Sequence, residues 1–178
     1  MPATSNKAVA SVLIEAHGTL VHNPRLRRYS SLEYADVLEA GGGDGSDATA
    51  LLLVAATHGA ASHQFDRMQH VVDVLQCARG AAGPIDTERL RSVAERCGLM
   101  FAVVAALDLA GRTFGEPRCA EIIRSLVPRA FESMASRLLS GHMVIAAQSS
   151  DRAVMSWRRK AFRQAMRFSG RRTRDARA

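Results

Sequence analysis

The feature that most limits the fold of this chain is an apolar stretch in its middle. Leu99 to Leu107 are nine consecutive apolar residues, and Asp108 is the first polar residue that follows. A helix that crosses a bilayer needs roughly 20 such residues, so this stretch is too short to do so. A helix that is apolar on every side must instead be surrounded by other elements. We therefore predict that residues 99–109 form the central helix of an all-α bundle.

Composition agrees with a helical domain. The 178 residues are a typical length for one domain, and only 5% are aromatic. Most of the apolar content is Ala, Leu and Val, and Ala favours helix because it loses no side-chain entropy there. No alternating pattern typical of a strand has a useful length. We expect one helical domain over residues 1–168 and a basic, disordered tail over residues 169–178.

Apolar periodicity and capping residues predict a bundle of seven to eight helices. Breaks are expected at Asn23-Pro24, Gly41–Gly45 and Gly80–Pro84, and Pro128 is expected to kink or split the helix that contains it. Asp47 and either Asp86 or Thr87 are candidate N-caps. The predicted helices cover residues 7–20, a short segment that opens at Ser30 or Ser31, and residues 48–61, 64–79, 88–110, 118–139 and 151–168.

No set of residues suited to catalysis is found. The segment Val12–Leu20 is similar to the first motif of haloacid-dehalogenase phosphatases, but Glu15 and His17 stand where that motif has its two acids. No later lysine and acidic pair completes a magnesium site, so an amphipathic helix is the preferred interpretation. No nucleophile, base and orienting group can be assembled elsewhere. We predict no enzymatic activity, no catalytic residue and no cofactor.

The cysteines and histidines do not have the spacing of a metal site. The three cysteines lack a CxxC pair, which favours reduced thiols in an intracellular protein: they are Cys77, Cys97 and Cys119. His58, His63, Cys77 and Cys97 do not give the closed spacing of four zinc ligands. His63 and His70 are seven residues apart on one expected helix face, without an acidic pair beside them. We interpret these histidines as solvated or locally hydrogen-bonded and predict no metal site.

The basic charge is concentrated at the C-terminal end. The net charge is +7, and residues 152–178 alone hold ten Lys or Arg against the single acid Asp175. These side chains could contact the phosphates of nucleic acid or an anionic membrane surface. A solvated helix end followed by a disordered tail explains them equally well. The candidate phosphate contacts are Arg158, Arg159, Lys160, Arg163, Arg167, Arg171, Arg172 and Arg174.

Four passages resemble motifs of one family. Val37–Asp44 is similar to a Leu-x-x-x-Gly-Asp helix end, and Phe65–Leu75 to an amphipathic helix that forms a groove wall. Arg96–Ala106 resembles an Asn-Trp-Gly-Arg motif with the core helix that it begins. Trp157 and Phe162 resemble a C-terminal Gly-Trp and the aromatic after it. In this order and spacing the chain resembles the Bcl-2 family of apoptosis regulators, especially its viral members.

The resemblance implies a Bcl-2-like bundle whose groove binds the amphipathic helices of pro-apoptotic proteins and so inhibits apoptosis. Leu99 replaces the family's arginine, and Arg96, one turn earlier, is the candidate substitute for pairing with an acid of the bound helix. The family's hydrophobic membrane tail is absent, and Met1–Ala10 does not have the pattern of a signal peptide, so a cytoplasmic protein is expected, in a host cell if it is viral. The candidate groove residues are Tyr34, Leu38, Phe65, Met68, Val71, Val72, Leu75, Arg96, Gly98 and Val103.

Three alternatives to this function stay open. The apolar stripe that begins at Phe65 could simply pack inside the domain. The protein could instead bind nucleic acid, or associate with a nucleocapsid, through its basic tail. It could also be a scaffold that forms homodimers and has no ligand.

Overall fold

The computed structural model describes residues 20–21, 23–126, 139, 157 and 159–168. In this part of the chain the regular structure is helical and no strand is present, which confirms the all-α prediction. No helix there combines the length and the hydropathy that crossing a bilayer requires. The predictions for residues 7–19, for Pro128 and for the tail 169–178 concern parts of the chain outside the described residues.

The first described helix begins later than the sequence predicts. Helix α1 spans Tyr34–Ala40, because Glu33 and Asp36 form a capping box in which the backbone N–H of Glu33 donates to Asp36 Oδ2 at 3.0 Å. Ser30, a predicted start of this helix, is buried, and its hydroxyl donates to the carbonyl oxygen of Gly98 at 3.0 Å. The predicted loop at residues 41–45 follows α1.

The segment predicted as one helix over residues 48–61 changes its hydrogen-bonding pattern halfway. Helix α2 spans Ala48–Thr57, and Asp47 caps it as predicted, with Oδ1 accepting from the backbone N–H of Thr49 at 2.8 Å. A π-helical segment, His58–His63, continues it directly. In a π-helix the hydrogen bonds run between residues five apart, so side chains with that spacing become neighbours.

A left-handed turn separates the π-helical segment from the next helix. Gln64 and Phe65 have φ of +52° and +53°, which few non-glycine residues adopt, and helix α3 therefore begins only at Met68 and spans Met68–Ala78. The Phe65 ring packs against the backbone of Gly59, where an added Cβ would lie 2.5 Å from Phe65 Cε1. The predicted helix start at Gln64 is therefore wrong by four residues.

The segment predicted over residues 88–110 is two helices. Helix α4 spans Thr87–Arg96, helix α5 spans Met100–Phe114 and helix α6 spans Pro117–Leu126. Gly98 separates α4 from α5 with a φ of +67°. Its N–H donates to the Glu95 carbonyl at 3.0 Å, and the N–H of Leu99 donates to the Ala94 carbonyl at 2.7 Å. This is a Schellman motif, which ends a helix at a left-handed glycine.

Helix α5 lies at the centre of the bundle, as predicted. Every residue from Met100 to Ala110 is buried, and α5 packs against α2, α3, α4 and α6. Its one buried acid, Asp108, forms an ion pair with Arg112, in which Arg112 Nη2 lies 2.6 Å from Asp108 Oδ2. The same nitrogen donates to the Leu139 carbonyl at 2.7 Å. Helical residues 159–168 add Phe162, Ala165 and Met166 to the core.

Asp86 is the N-cap of α4, and its removal gives a first prediction. Its Oδ1 accepts from the backbone N–H groups of Glu88 and Arg89, and its Oδ2 accepts from Arg89 Nε at 2.7 Å. We expect Asp86→Ala to lower the free energy of unfolding by about 1 kcal/mol. Asp86→Asn, which keeps an acceptor oxygen, should lower the free energy of unfolding by less. Urea unfolding measures both, and an unchanged midpoint in Asp86→Ala would contradict the cap.

The same cap makes the stability depend on pH. The hydrogen bonds from Arg89, above all the one from its backbone N–H, lower the pKa of Asp86. The carboxylate therefore contributes fully to the stability of the fold above its ordinary pKa of 3.8. This contribution is lost as the pH falls through the lower pKa of the folded state.

Candidate functional site

Most side chains predicted to line a groove lie in the core. Phe65, Val71, Leu75 and Val103 are buried, with Val71 at 0% exposure. Leu38, Met68 and Val72 are half-buried, and Tyr34 is 75% exposed. In this conformation a ligand helix can reach the half-buried residues, whereas it would reach the buried four only after the bundle opens.

Arg96 has partners within the chain. Its Nη1 donates to the two carboxylate oxygens of Glu39 at 2.7 and 2.6 Å, and its Nη2 donates to Asp36 Oδ1 at 2.9 Å. These contacts join α4 to α1. This guanidinium was predicted from the sequence to pair with an acid of a bound helix, but in the structure the acids of α1 take that place.

Gly98 also has a role within the chain. It is buried and forms the Schellman turn between α4 and α5, and its carbonyl oxygen accepts the hydrogen bond from the hydroxyl of Ser30. The left-handed φ, rather than the approach of a ligand backbone, explains the glycine here.

One surface of the bundle already holds an amphipathic helix. The Phe162 ring, 1% exposed, lies with its centroid 5.4 Å from that of Phe101 on α5 and 6.5 Å from that of Phe65. Lys160 and Gln164, on the same helical residues 159–168, are exposed. We call the two rings that receive Phe162, those of Phe65 and Phe101, the aromatic platform. Phe101 was not among the site residues predicted from sequence, because it belongs to an unbroken apolar run.

The basic residues of the C-terminal region lie partly beside a second basic segment. Arg159, Arg163 and Arg167 are half-buried and Lys160 is exposed, whereas Arg171, Arg172, Arg174 and the side chain of Arg158 lie outside the described residues. Arg167 lines a recess of about 430 Å³ together with Pro24, Arg25, Arg28 and Tyr29. Arg25 and Arg28 were not among the phosphate contacts predicted from the sequence. The basic run after Pro24 was a signal for them.

The cysteine thiols are protonated at neutral pH. Burial raises the pKa of Cys97 to about 12 and that of Cys119 to about 11, and it also raises the pKa of Cys77. A thiol must ionise to act as a nucleophile or as a metal ligand. None of the three thiols is therefore a ready nucleophile at neutral pH.

Three histidines meet at the junction of the π-helical segment and α3. The ring centroids of His58, His63 and His70 lie 4.4 to 5.3 Å apart, and one nitrogen from each ring lies within 4.8 Å of the other two. His63 and His70 were predicted from the sequence to share one helix face. In the structure the left-handed turn lies between them, and they approach from two different segments.

His70 is the most buried of the three histidines. It is 8% exposed, and burial, followed by the charge of His63, lowers its pKa, so that its imidazole is neutral at pH 7. Because the ordinary pKa is 6.5, the fold has its full stability with respect to this group above that value. Stability is lost as the pH falls through the lower folded pKa, because protonation then places a charge at a buried position.

The chain has no match among protein-family models, among curated proteins or among solved structures. Its function is therefore proposed from its own residues, from their resemblance to a family and from the contacts described above.

Proposed function

We propose that the protein binds the amphipathic helix of a pro-apoptotic partner and inhibits cell death by sequestering it, as the resemblance to the Bcl-2 family implies. The observation that carries this proposal is the seating of Phe162 on the aromatic platform. Recognition of a helix in a groove requires an apolar surface that takes anchor side chains spaced by three and four residues. Phe162, Ala165 and Met166 have this spacing and are buried.

The docked helix is suited to being replaced. Most of the stability of an amphipathic helix in a protein comes from packing its apolar face, so the order of helical residues 159–168 depends on their packing against the bundle. A partner helix with a similar apolar face would compete for the same surface. The apparent affinity for the partner helix is then the intrinsic affinity multiplied by the fraction of molecules in which the chain's own helix is undocked.

The position of α5 supports the same proposal. The resemblance assigns Arg96–Ala106 to a motif at the start of the family's core helix, and in this chain α5 starts at Met100, directly after the turn at Gly98. Phe101 is the second residue of α5, so the aromatic platform lies beside the passage that carries the resemblance. A Bcl-2-like arrangement of the bundle is part of this proposal.

The test is the binding of a fluorescently labelled death-helix peptide, measured by fluorescence anisotropy. We expect the full chain to bind it and Met68→Glu to weaken binding at least tenfold, about 1.4 kcal/mol. Met68 is half-buried on α3, whereas its neighbour Gln69 is exposed. Gln69→Glu is therefore the matched control and should bind normally.

A variant of the docked helix tests the competition. Phe162→Ala should weaken the docking of residues 159–168 and raise the peptide affinity above that of the unchanged chain. Phe168→Ala, on the same helix but 57% exposed, should not. Absence of binding by both the unchanged chain and Phe162→Ala would reject the proposal, as would equal affinities of Met68→Glu and Gln69→Glu.

A second candidate function, nucleic-acid binding, is favoured by the recess that Arg25, Arg28 and Arg167 line. Arginines from two segments can contact the phosphates of one nucleic-acid strand. The affinity of such contacts falls steeply as the salt concentration rises. We expect the double variant Arg25→Gln, Arg28→Gln to lower affinity for RNA or DNA and to flatten its dependence on salt. Arg91→Gln, at an exposed position on α4, is the control. Binding that does not vary with salt would exclude this function.

A further inference from the structure

We propose that His58, His63 and His70 bind a divalent first-row transition metal ion, Zn²⁺ foremost, with the carboxylate of Asp66 as the fourth ligand. Imidazole nitrogens are preferred ligands of Zn, Cu, Ni and Fe, and Zn²⁺ also accepts carboxylate oxygens in its tetrahedral sites. This site does not depend on the helix-binding proposal, because none of its four ligands is part of the aromatic platform.

The polar atoms at the centre of the cluster lack hydrogen-bond partners. His70 Nε2 and Asp66 Oδ1 are both buried and unpartnered, and they lie 3.6 Å apart, beyond hydrogen-bond distance. Asp66 Oδ1 also lies 3.7 Å from His63 Nδ1. A buried polar atom without a partner is destabilising, so two such atoms facing each other need an explanation. A cation between them would satisfy both.

The spacing of the histidines fits the local backbone. On an α-helix, residues five apart point about 140° away from each other. The π-helical segment His58–His63 instead places its first and last side chains on one side. The turn at Gln64 and Phe65 then brings His70 against them. A short π-helix of this kind often occurs at functional sites.

The turn itself is strained and tightly packed. Two consecutive non-glycine residues with positive φ persist only where surrounding contacts enforce them. Here the buried ring of Phe65 lies against Gly59, where a Cβ would also meet His70 Cβ at 3.3 Å. This packing holds the π-helical segment close to α3, so the ligand set is assembled before an ion arrives.

Binding requires a modest contraction. Nitrogens bound to one tetrahedral Zn²⁺ at 2.0–2.1 Å lie about 3.3 Å apart, whereas the three candidate nitrogens lie within 4.8 Å of one another. His58 and His63 are half-buried and His70 is buried, so the contraction requires the first two to move towards the third. With four protein ligands the site is closed, and the ion would have a structural role, tying the π-helical segment to α3.

The experiment is a titration of the full, untagged chain with Zn²⁺ after treatment with a chelator, followed by calorimetry, and with Co²⁺, followed by visible absorption. We expect one ion per chain and a tetrahedral Co²⁺ spectrum. At a free Zn²⁺ concentration of about 100 times Kd, the unfolding temperature should rise by on the order of 5 °C.

Substitutions locate the ion. His63→Ala, at a half-buried position that tolerates truncation, should weaken Zn²⁺ binding more than about 100-fold, and His70→Gln should do the same while preserving volume. Asp66→Asn should weaken it about 10- to 100-fold. Gln69→Ala, exposed and one residue from His70, should bind as the unchanged chain does. Binding that survives both histidine variants, or no binding by the unchanged chain at millimolar Zn²⁺, would overturn the proposal.

Discussion

Val71→Asp is expected to unfold a large fraction of the molecules, whereas Val72→Asp should leave the protein folded. Val71 is 0% exposed and faces the core from α3, while Val72 is half-buried. The substitution at 71 loses the burial of a valine, worth about 1.5–3 kcal/mol, and forces a polar group into the core without a partner. The sum is about 4 kcal/mol or more, against a typical total stability of about 5–15 kcal/mol.

The comparison of the two variants also tests where the apolar stripe faces. If Val71 lined an open groove, Val71→Asp would fold normally and lose only its ligand. Urea unfolding followed by circular dichroism measures both variants. The core position of Val71 predicts a midpoint far below that of Val72→Asp, which itself should lose about 1 kcal/mol. Equal midpoints would mean that the stripe faces a groove instead of the core.

The central helix could be predicted from sequence because its signal is uniform. A stretch that is apolar on all sides has only one stable environment, and Met100–Ala110 is buried throughout. The caps at Asp47 and Asp86 were predictable for a similar reason, since an acid in front of an apolar periodic segment satisfies free backbone N–H groups.

The break between α4 and α5 was not predictable from periodicity. Apolar residues continue through Gly98, and a single glycine inside such a pattern is compatible with an unbroken helix. Local hydrogen bonds from the N–H groups of Gly98 and Leu99 close the turn, and the Ser30 hydroxyl, distant in sequence, adds a bond to the Gly98 carbonyl. The same contact explains why Ser30 does not cap α1.

The histidine cluster was missed because the sequence was interpreted with the period of an α-helix. With that period His58 and His63 are on different faces, and Asp66 belongs to the first turn of the helix predicted over residues 64–79. The structure has a π-helical segment and a left-handed turn instead. Both are held by the packing of Phe65 on Gly59, which no local pattern reveals. Non-local packing, rather than propensity, therefore decides this part of the molecule.

The second large effect is expected for Phe101→Ala. Phe101 is fully buried near the start of α5 and is one half of the aromatic platform, with its ring centroid 5.4 Å from that of Phe162. Truncation of a buried phenylalanine leaves a cavity and is expected to lower the free energy of unfolding by about 3–5 kcal/mol. Phe168→Ala removes a phenyl ring from an exposed position and should change the free energy of unfolding by at most about 0.5 kcal/mol.

The loss of local stability in Phe101→Ala should be greatest at residues 159–168. Because these helical residues depend on their packing, removal of one ring of the platform should raise their opening more than that of α2, which keeps its own contacts with α1 and α3. Amide hydrogen exchange measures this difference segment by segment. Faster exchange confined to residues 159–168 would match a helix that undocks before the bundle unfolds. A partner helix can take its place only if it undocks in this way. Equal acceleration throughout would make the docked helix an integral part of the core and would leave a partner helix no surface to occupy.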